Sequence, residues 1–481
     1  MLEAIRVAWD AFWAFPNVRL YLVLGWAAYL VWLGAWIVLQ KREPAATISW
    51  LISLAALPYL GFLIYYVFGP QKISRHRARR RRHSATLPGE GSASGDEEVK
   101  ELRSLALATT GNAPTTAREV RLLVDGGAKY AALLDDLRRA RHHLHLEYYI
   151  FNPDRTGTAL RDVLIERARA GVQVRLLLDA MGSKACHARF LAPLHEAGAQ
   201  VAWFHPARPW MLWKRPWVNL RMHRKIVVID GRIAYTGGMN VTDEQDERLR
   251  DDAYRDLHLR IEGDAVRPLQ VLFVEDWAYA TRSRDFIGDV ARAMPEPRPG
   301  PIATQVLASG PDSGWEAIHR VHVGAIHAAS RRVWLATPYF VPGEAAMMAL
   351  TSAALAGLDV RLLVPKMSDS RLVTWCVRSY YDELLAAGVK VYEYGPRMLH
   401  SKALLVDDAV ALVGSANFDH RSFRLNFEVT MLFDDTGIVE QLARLFEHDL
   451  ASAPRVRNDR QRPLLRARLP EALARLISPL L

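Results

Sequence analysis

The sequence contains very few cysteines. Cys186 and Cys376 are the only two among 481 residues, and neither lies at the spacing of a metal-binding or redox motif. The sequence therefore excludes a disulfide framework and a cysteine-based zinc site as the basis of the fold. It favours two reduced, partly buried thiols in a reducing compartment.

Two long stretches contain no charged residue, namely residues 20–40 and 44–70. Each is long enough to cross the hydrocarbon core of a bilayer as a helix, which takes roughly 20 residues. Buried helices of a soluble protein are the alternative, but such helices normally keep a polar stripe, and none is present here. Because only residues 41–43 separate the stretches, residues 20–70 are predicted to form two transmembrane helices joined by a short loop.

The segment after the second stretch lacks acidic residues. Positions 72–82 carry seven basic side chains, and the rest of the chain has 55 basic against 52 acidic residues, close to balance. A nucleic-acid enzyme would spread its positive charge over the folded body, so no nucleic-acid partner is expected. The positive-inside bias keeps this run cytoplasmic, where it attracts anionic lipid headgroups. Its members are Lys72, Arg75, Arg77, Arg79, Arg80, Arg81 and Arg82.

Two flanking segments complete the membrane part. Residues 1–19 place apolar side chains on one helical face and charged ones on the other, and Pro16 ends the pattern. This predicts an amphipathic helix that lies flat in the membrane interface. Residues 71–118 combine the basic run with a stretch rich in Ser, Gly, Ala, Thr and Pro. They are predicted to form a flexible linker.

The remaining body repeats internally. A strand pattern at 144–151 is followed by a helix and a second strand, and the same order recurs from 333–340 onward. Repeated strand and helix units predict an α/β fold of two similar lobes related by pseudo-two-fold symmetry, each a largely buried sheet covered by helices. The lobes are expected at 119–300 and 301–481, the second including a C-terminal tail.

Each lobe carries the same polar pattern, and the two copies lie 177 positions apart. Residues i and i+2 of a strand face the same way, so each histidine is predicted to project together with its lysine. Two identical constellations predict one symmetric site in which two imidazoles face a single substrate atom. The copies are His223-x-Lys225, Asp230 and Gly237-Gly238-x-Asn240, then His400-x-Lys402, Asp407 and Gly414-Ser415-x-Asn417.

These residue types suit the cleavage and re-formation of a phosphodiester. A neutral imidazole can attack phosphorus, and a protonated one can donate to the leaving alkoxide. Ammonium, amide and hydroxyl groups can hold the non-bridging oxygens, whose charge grows in the transition state. The catalytic candidates are His223, Lys225, Asp230, His400, Lys402 and Asp407, and the phosphate-binding candidates are Asn240, Asn417 and Ser415.

Several acids admit two interpretations. Asp256 and Glu428 could fix the tautomers of the two rings, as in a catalytic triad, or they could be ordinary surface acids. Asp230 and Asp407 could instead cap their hairpin turns without touching substrate.

Two other groups are given ordinary roles. His143, His145 and Glu147 alternate along a strand like metal ligands, but no fourth ligand is apparent, so neither a metal nor a cofactor is expected. The tryptophan-rich and basic segment 210–217 is predicted to be a lip at the bilayer interface near the mouth of the site.

The doubled motif resembles the signature of the phospholipase D superfamily, and further segments resemble the membrane-bound bacterial cardiolipin synthases. The resemblance implies that one phosphatidylglycerol gives its phosphatidyl group to the enzyme, releasing glycerol, and that a second then accepts it to form cardiolipin. It implies His223 as the nucleophile and His400 as the acid and base. The further segments are Glu147-Tyr148-Tyr149-Ile150-Phe151, Thr337-Pro338-Tyr339-Phe340 and Asn417-x-Asp419-x-Arg421-Ser422 with Asn426-x-Glu428.

The resemblance also implies a multi-pass protein of the bacterial inner membrane with its catalytic body in the cytoplasm. Its expected partners are phosphatidylglycerol, other anionic phospholipids and the membrane, and a homo-oligomer is possible. A membrane-anchored phospholipase D that hydrolyses lipids to phosphatidic acid would use the same residues, so this alternative stays open. A lipid-binding scaffold without activity and a nuclease are the remaining alternatives, and the two intact motifs and the membrane segment disfavour them.

Overall fold

The structure is a computed structural model. It describes residues 97–206, 219–460 and 462–478, together with residues 13–39 and scattered positions elsewhere between 3 and 54. The chain divides into two compact units, Met1–Pro70 with Pro209–Asn219, and Gln71–Arg208 with Leu220–Leu481.

In the first unit, α1 (Val18–Val38) has an apolar sequence apart from Arg19 in its first turn. Among the described residues it is the one helix whose length and composition allow it to span a membrane, with a mean hydropathy of 1.5 over Val18–Ala35. The predicted second span and interfacial helix lie largely outside the described residues. The basic run and the tryptophan-rich segment lie outside them entirely.

The second unit contains a seven-stranded sheet in the order β2-β8-β7-β6-β3-β4-β5. Strands β3, β4 and β5 run parallel, and the neighbours from β3 to β2 pair antiparallel. The strands are β2 (Glu119–Val124), β3 (His143–Tyr148), β4 (Gln173–Asp179), β5 (Gln200–Phe204), β6 (Ile226–Ile229), β7 (Ile233–Gly237) and β8 (Leu257–Glu262).

An eight-stranded sheet follows in the order β1-β9-β17-β15-β14-β10-β12-β13. When the strands of each sheet are numbered along the chain and the edge strand β1 is left out, both sheets have the same spatial order of strands. Two short strands, β11 (Phe340–Val341) and β16 (Phe418–Asp419), pair separately. The others are β1 (Thr115–Ala117), β9 (Ile302–Ser309), β10 (Arg332–Ala336), β12 (Asp359–Pro365), β13 (Lys390–Tyr394), β14 (Ala403–Val406), β15 (Val410–Gly414) and β17 (Glu428–Phe433).

Helices cover the sheets, so the unit is a mixed α/β structure. They are α2 (Glu97–Thr110), α3 (Asp125–Arg138), α4 (Arg155–Arg169), α5 (Ala188–Glu196), α6 (Val266–Thr281), α7 (Ile287–Ala293), α8 (Ala317–His327), α9 (Glu344–Leu355), α10 (Arg371–Arg378), α11 (Tyr381–Ala386), α12 (His420–Arg424), α13 (Thr436–Leu450) and α14 (Leu469–Leu476).

The end of the predicted linker is structured, which corrects that assignment. Helix α2 buries Leu102 and Ala106 in the core of the second sheet. Strand β1 then pairs antiparallel with β9, from Thr115 opposite Thr304 to Ala117 opposite Ile302. Residues 97–117 therefore belong to the second half of the fold, although they precede the first half in the chain.

One apolar core joins the two sheets. It includes Val228 and Leu259 of the first sheet together with Leu405 and Met431 of the second. The central strands β6 and β14 are buried along most of their length, which explains their uninterrupted apolar sequences. The segments that lead into these two strands carry the His-x-Lys motifs.

Candidate active site

The two His-x-Lys motifs lie just before strands β6 and β14, not within them as the sequence suggested. Lys225 directly precedes Ile226, the first residue of β6, and Lys402 directly precedes Ala403, the first residue of β14. Each motif is extended, but its backbone partner is in the opposite half of the fold. Strands β6 and β14 therefore fix the end of each motif in its own half, while the motif backbone bonds to the other half.

Backbone hydrogen bonds join the halves at both motifs. The amide of His223 donates to the carbonyl of Phe427 (2.9 Å), and the amide of Phe427 donates to the carbonyl of Arg221 (2.8 Å). Correspondingly, the amide of His400 donates to the carbonyl of Arg255 (2.7 Å). Both motifs thus sit where the two halves meet.

The acids behind the imidazoles are exchanged between the halves. His223 Nδ1 lies 2.8 Å from Glu428 Oε1, and His400 Nδ1 lies 2.5 Å from Asp256 Oδ2. Glu428 is 0% exposed and Asp256 is 1% exposed, so neither is a surface acid. Each ring in one half is held by a carboxylate from the other half.

The lysine of each motif is buried as well. Lys225 Nζ donates to the carbonyl of His223 (2.6 Å), and Lys402 Nζ donates to the carbonyl of His400. Burial lowers the pKa of Lys225 to about 7 and that of Lys402 to about 8, against the attraction of Glu428 and Asp256. Each ammonium is therefore attracted by a carboxylate from each half of the fold.

Burial also lowers the pKa of both imidazoles, to about 4 for each. The carboxylate on Nδ1 opposes this by favouring the protonated ring. A ring with a pKa near 4 is neutral at pH 7, and the carboxylate at Nδ1 favours the tautomer with its proton on that nitrogen, although Lys402 Nζ also lies 2.9 Å from Nδ1 of His400. Nε2 of each ring is left with a lone pair, as a nucleophile or base requires.

Each imidazole also has an aromatic neighbour that the sequence analysis did not assign to the site. The ring of Tyr149 lies 5.0 Å from that of His223, and the ring of Tyr254 lies 5.5 Å from that of His400.

Two family models match the chain. Residues 133–277 and 323–450 match the model described as cardiolipin synthase, PLD-like domain, and residues 29–70 match the model described as phospholipase D-nuclease N-terminal. Cardiolipin synthase 2 of Bacillus anthracis is 39% identical over 95% of this chain and 90% of its own length. The cardiolipin synthase of Geobacillus kaustophilus (strain HTA426) is 38% identical over 100% of this chain and 98% of its own length.

The chain belongs to the cardiolipin synthase family of the phospholipase D superfamily. Among solved structures, the phosphatidylserine synthase of Haemophilus influenzae Rd KW20 superimposes with a TM-score of 0.61. The superposition covers 80% of this chain and 100% of the other at 14% sequence identity, which shows a common fold.

In this member of the cardiolipin synthase family, the two candidate asparagines are buried beside the motifs. The backbone amide of Asn240 donates to Gln245 Oε1, and that of Asn417 donates to Ser422 Oγ (3.2 Å). Sequence reasoning missed Gln245 and Ser422. Their common offset, five residues after the asparagine in each copy, was the available signal.

The hydroxyl of the serine in the second motif, predicted to bind phosphate, is bound to an orienting acid. Ser415 Oγ donates to Glu428 Oε2 (2.5 Å) and accepts from the amide of Val429 (3.0 Å). Its counterpart is Gly238, where an added Cβ would lie 2.2 Å from Asp256 Oδ1. The second Gly/Ser position of each motif, Gly238 or Ser415, therefore lies against an orienting acid.

Asp230 and Asp407 are also corrected, because they lie at the far ends of β6 and β14 from the histidines. The Asp230 carboxylate accepts from the amides of residues 141, 142 and 143, and the Asp407 carboxylate accepts from those of residues 330, 331 and 332. Both have positive φ angles, 52° and 51°. They tie a hairpin turn to the start of the neighbouring strand.

Replacing Asp230 by alanine is therefore expected to lower the free energy of unfolding by about 1–3 kcal/mol, since three amides lose their acceptor. Activity per folded molecule should stay near that of the wild type. Thermal unfolding in detergent and activity at low temperature would test this. Asp230→Asn is the matched control, because it keeps an acceptor oxygen and tolerates the left-handed backbone. A stable alanine variant without activity would return Asp230 to the catalytic residues.

The alternating residues of β3 form a buried hydrogen-bonded network. His143 Nε2 and His145 Nδ1 each lie 3.1 Å from Gln270 Oε1, and His145 Nε2 lies 3.1 Å from Arg175. Glu147 is fully buried on the same strand. Within the part of the chain that the structure describes, no group of three His, Cys, Asp or Glu residues is arranged to hold a metal ion.

Proposed function

We propose that the chain transfers a phosphatidyl group from one phosphatidylglycerol to a second, giving cardiolipin and glycerol. The observation that carries the proposal is the exchange of acids, because each imidazole is bound by a buried carboxylate of the other half, which supports a single site built from both motifs. The names of the related proteins support the same lipid chemistry.

In the first step, Nε2 of His223 attacks phosphorus and forms the P–N bond of a phosphatidyl-histidine. The bond from phosphorus to the glycerol oxygen breaks, and His400 gives its proton to that oxygen. The negative charge of the bound phosphodiester favours the imidazolium, so substrate raises the pKa of His400 enough for it to carry this proton. The family resemblance supports His223 as the nucleophile.

In the second step, His400 removes the proton from the terminal hydroxyl of a second phosphatidylglycerol. The oxygen attacks phosphorus, the P–N bond breaks, and His223 leaves as a neutral ring. Lys225 and Lys402, with the amides of Asn240 and Asn417, are assigned to the non-bridging oxygens, where negative charge increases in both transition states. The roles of nucleophile, of acid and base, and of charge stabilisation are thus all assigned to side chains of this protein.

The same proposal includes the architecture around the site. We assign two lobes, one near 119–300 and the other near 301–481 together with residues 97–117, to a pseudo-two-fold pair, supported by the repeated strand order and the reciprocal acids. We also assign residues 20–70 to a transmembrane hairpin of a bacterial inner membrane, with the catalytic body in the cytoplasm. The apolar helix α1 supports the first span, and the charge-free residues 44–70 support the second.

Product analysis tests the reaction. Detergent-solubilised protein incubated with phosphatidylglycerol labelled in its headgroup glycerol should release labelled glycerol and form cardiolipin in equal amounts. The buried, nearly enclosed imidazoles favour lipid alcohol over water as the acceptor. Phosphatidic acid as the main product, with little cardiolipin, would instead identify a hydrolase.

A further inference from the structure

The C-terminal segment presents an apolar face to solvent. Residues 464–468 form a π-helical turn that leads into α14. Leu465 is 75% exposed and Leu476 is 77% exposed, and four further aliphatic side chains nearby are each more than a third exposed. A soluble surface rarely leaves so many large apolar groups uncovered together. These six residues form the C-terminal leucine face, namely Leu464, Leu465, Leu469, Leu473, Leu476 and Ile477.

The orientation of this face is set by the opposite side of the helix, which packs on α10. Glu471 and Ala474 are buried there, and the Glu471 carboxylate is bound by Arg462. Arg475 donates to the carbonyl of Ser379 (3.1 Å) and lies over the ring of Tyr380. Because these contacts anchor the polar side, the helix cannot turn its leucines inward without breaking them.

Positive charge accompanies the exposed leucines. Arg466 and Arg468 are exposed within the same segment. Glu471 is its only acidic residue, and it is buried and paired. Aliphatic side chains flanked by exposed arginines match an anionic bilayer surface, where the leucines enter the acyl boundary and the guanidinium groups meet lipid phosphates.

Helix α14 is linked through α10 to a carboxylate that acts on the second motif. Helix α10, on which α14 packs, begins two residues after Asp369. The Asp369 carboxylate accepts from the hydroxyl of Tyr339 (2.8 Å) and contributes to the electrostatic field at Lys402. The helix that carries the exposed leucines therefore packs on the helix that follows Asp369, a residue whose charge acts on Lys402.

We propose that the C-terminal leucine face docks the catalytic body onto the anionic surface of the bilayer that supplies its lipids. This inference rests on the proposed function for the presence of that bilayer, and it adds where the body meets the bilayer. Docking at this place brings α14, and α10 on which it packs, to the lipid surface.

A reporter on α14 tests the contact directly. Leu473→Cys in the full chain can be labelled selectively with a polarity-sensitive dye, because Cys186 and Cys376 are buried. Gln441→Cys, exposed on α13, is the matched control. In proteoliposomes containing phosphatidylglycerol, the dye at 473 should shift to the blue, with no shift at 441 or in pure phosphatidylcholine. No shift at 473, an equal shift at 441, or a shift that depends on protein concentration without lipid would overturn the proposal, the last by indicating a second copy of the chain.

Activity gives a second readout. The triple variant Leu465→Ser, Leu469→Ser, Leu473→Ser should form cardiolipin about tenfold more slowly in vesicles, and within about twofold of the wild type in detergent-lipid micelles, which need no docking. Leu355→Ser, an exposed leucine at the end of α9, should have no effect. Equal losses in both systems would contradict docking. If the wild type makes no cardiolipin in either system, the proposed function fails, and the dye shift still decides the docking.

Discussion

Replacing His223 by alanine is expected to reduce cardiolipin formation by about four orders of magnitude or more, because no group remains to form the P–N bond. Replacing His400 by alanine should cost about 10²–10⁴-fold, the usual contribution of a general acid. The two losses have different chemical causes, since the first variant lacks the nucleophile and the second lacks the acid. A phosphatidyl ester of p-nitrophenol has a leaving group that departs without a proton, so it should restore the first step in His400→Ala and not in His223→Ala.

The measurement is the first-turnover release of nitrophenol, together with trapping of a phosphatidylated enzyme. His142→Ala, which changes an exposed histidine next to β3, is the matched control and should leave both steps unchanged. Restoration in His223→Ala and not in His400→Ala would exchange the two roles. Restoration in neither variant would contradict a leaving-group proton from one of these rings.

Replacing the orienting acids should show that they act across the two halves. Glu428→Gln is expected to slow release of both glycerol and nitrophenol by about 10²–10⁴-fold, since it leaves the nucleophilic ring in the wrong tautomer. Asp256→Asn should slow glycerol release by a similar factor and leave nitrophenol release nearly unchanged, because its partner His400 is not needed there. The prediction follows from His223 bonding to Glu428 and His400 bonding to Asp256.

If each acid instead served the histidine of its own half, the pattern would reverse, and Asp256→Asn would be the variant that nitrophenol cannot rescue. Ser415→Ala is a milder companion variant, since it removes only the hydroxyl that donates to Glu428. It should follow the pattern of Glu428→Gln with a loss of about tenfold, the equivalent of one hydrogen bond. A loss that follows the Asp256 pattern would contradict the geometry.

Parts of the fold could have been predicted more closely from the chain. Leu102 and Ala106 in α2 are spaced as one face of a helix, so residues 97–110 carried a helical signal inside the Ser- and Ala-rich composition that suggested a linker. Strand β1 carried no such signal. With three residues it is too short for a periodicity, and its pairing with β9 depends on a segment almost 190 positions away.

The sequence by itself determined the doubled motif, the repeated order of strands, the long apolar segments, and the histidines, lysines and orienting acids of the candidate site. These follow from local spacing, which a linear chain records directly. Tertiary structure alone decided which acid serves which ring, since the contacts join residues 205 and 144 positions apart. It also decided that Asp230 and Asp407 bind backbone amides of the framework and that Ser415 binds an orienting acid, because the role of a polar side chain depends on which groups the fold brings next to it.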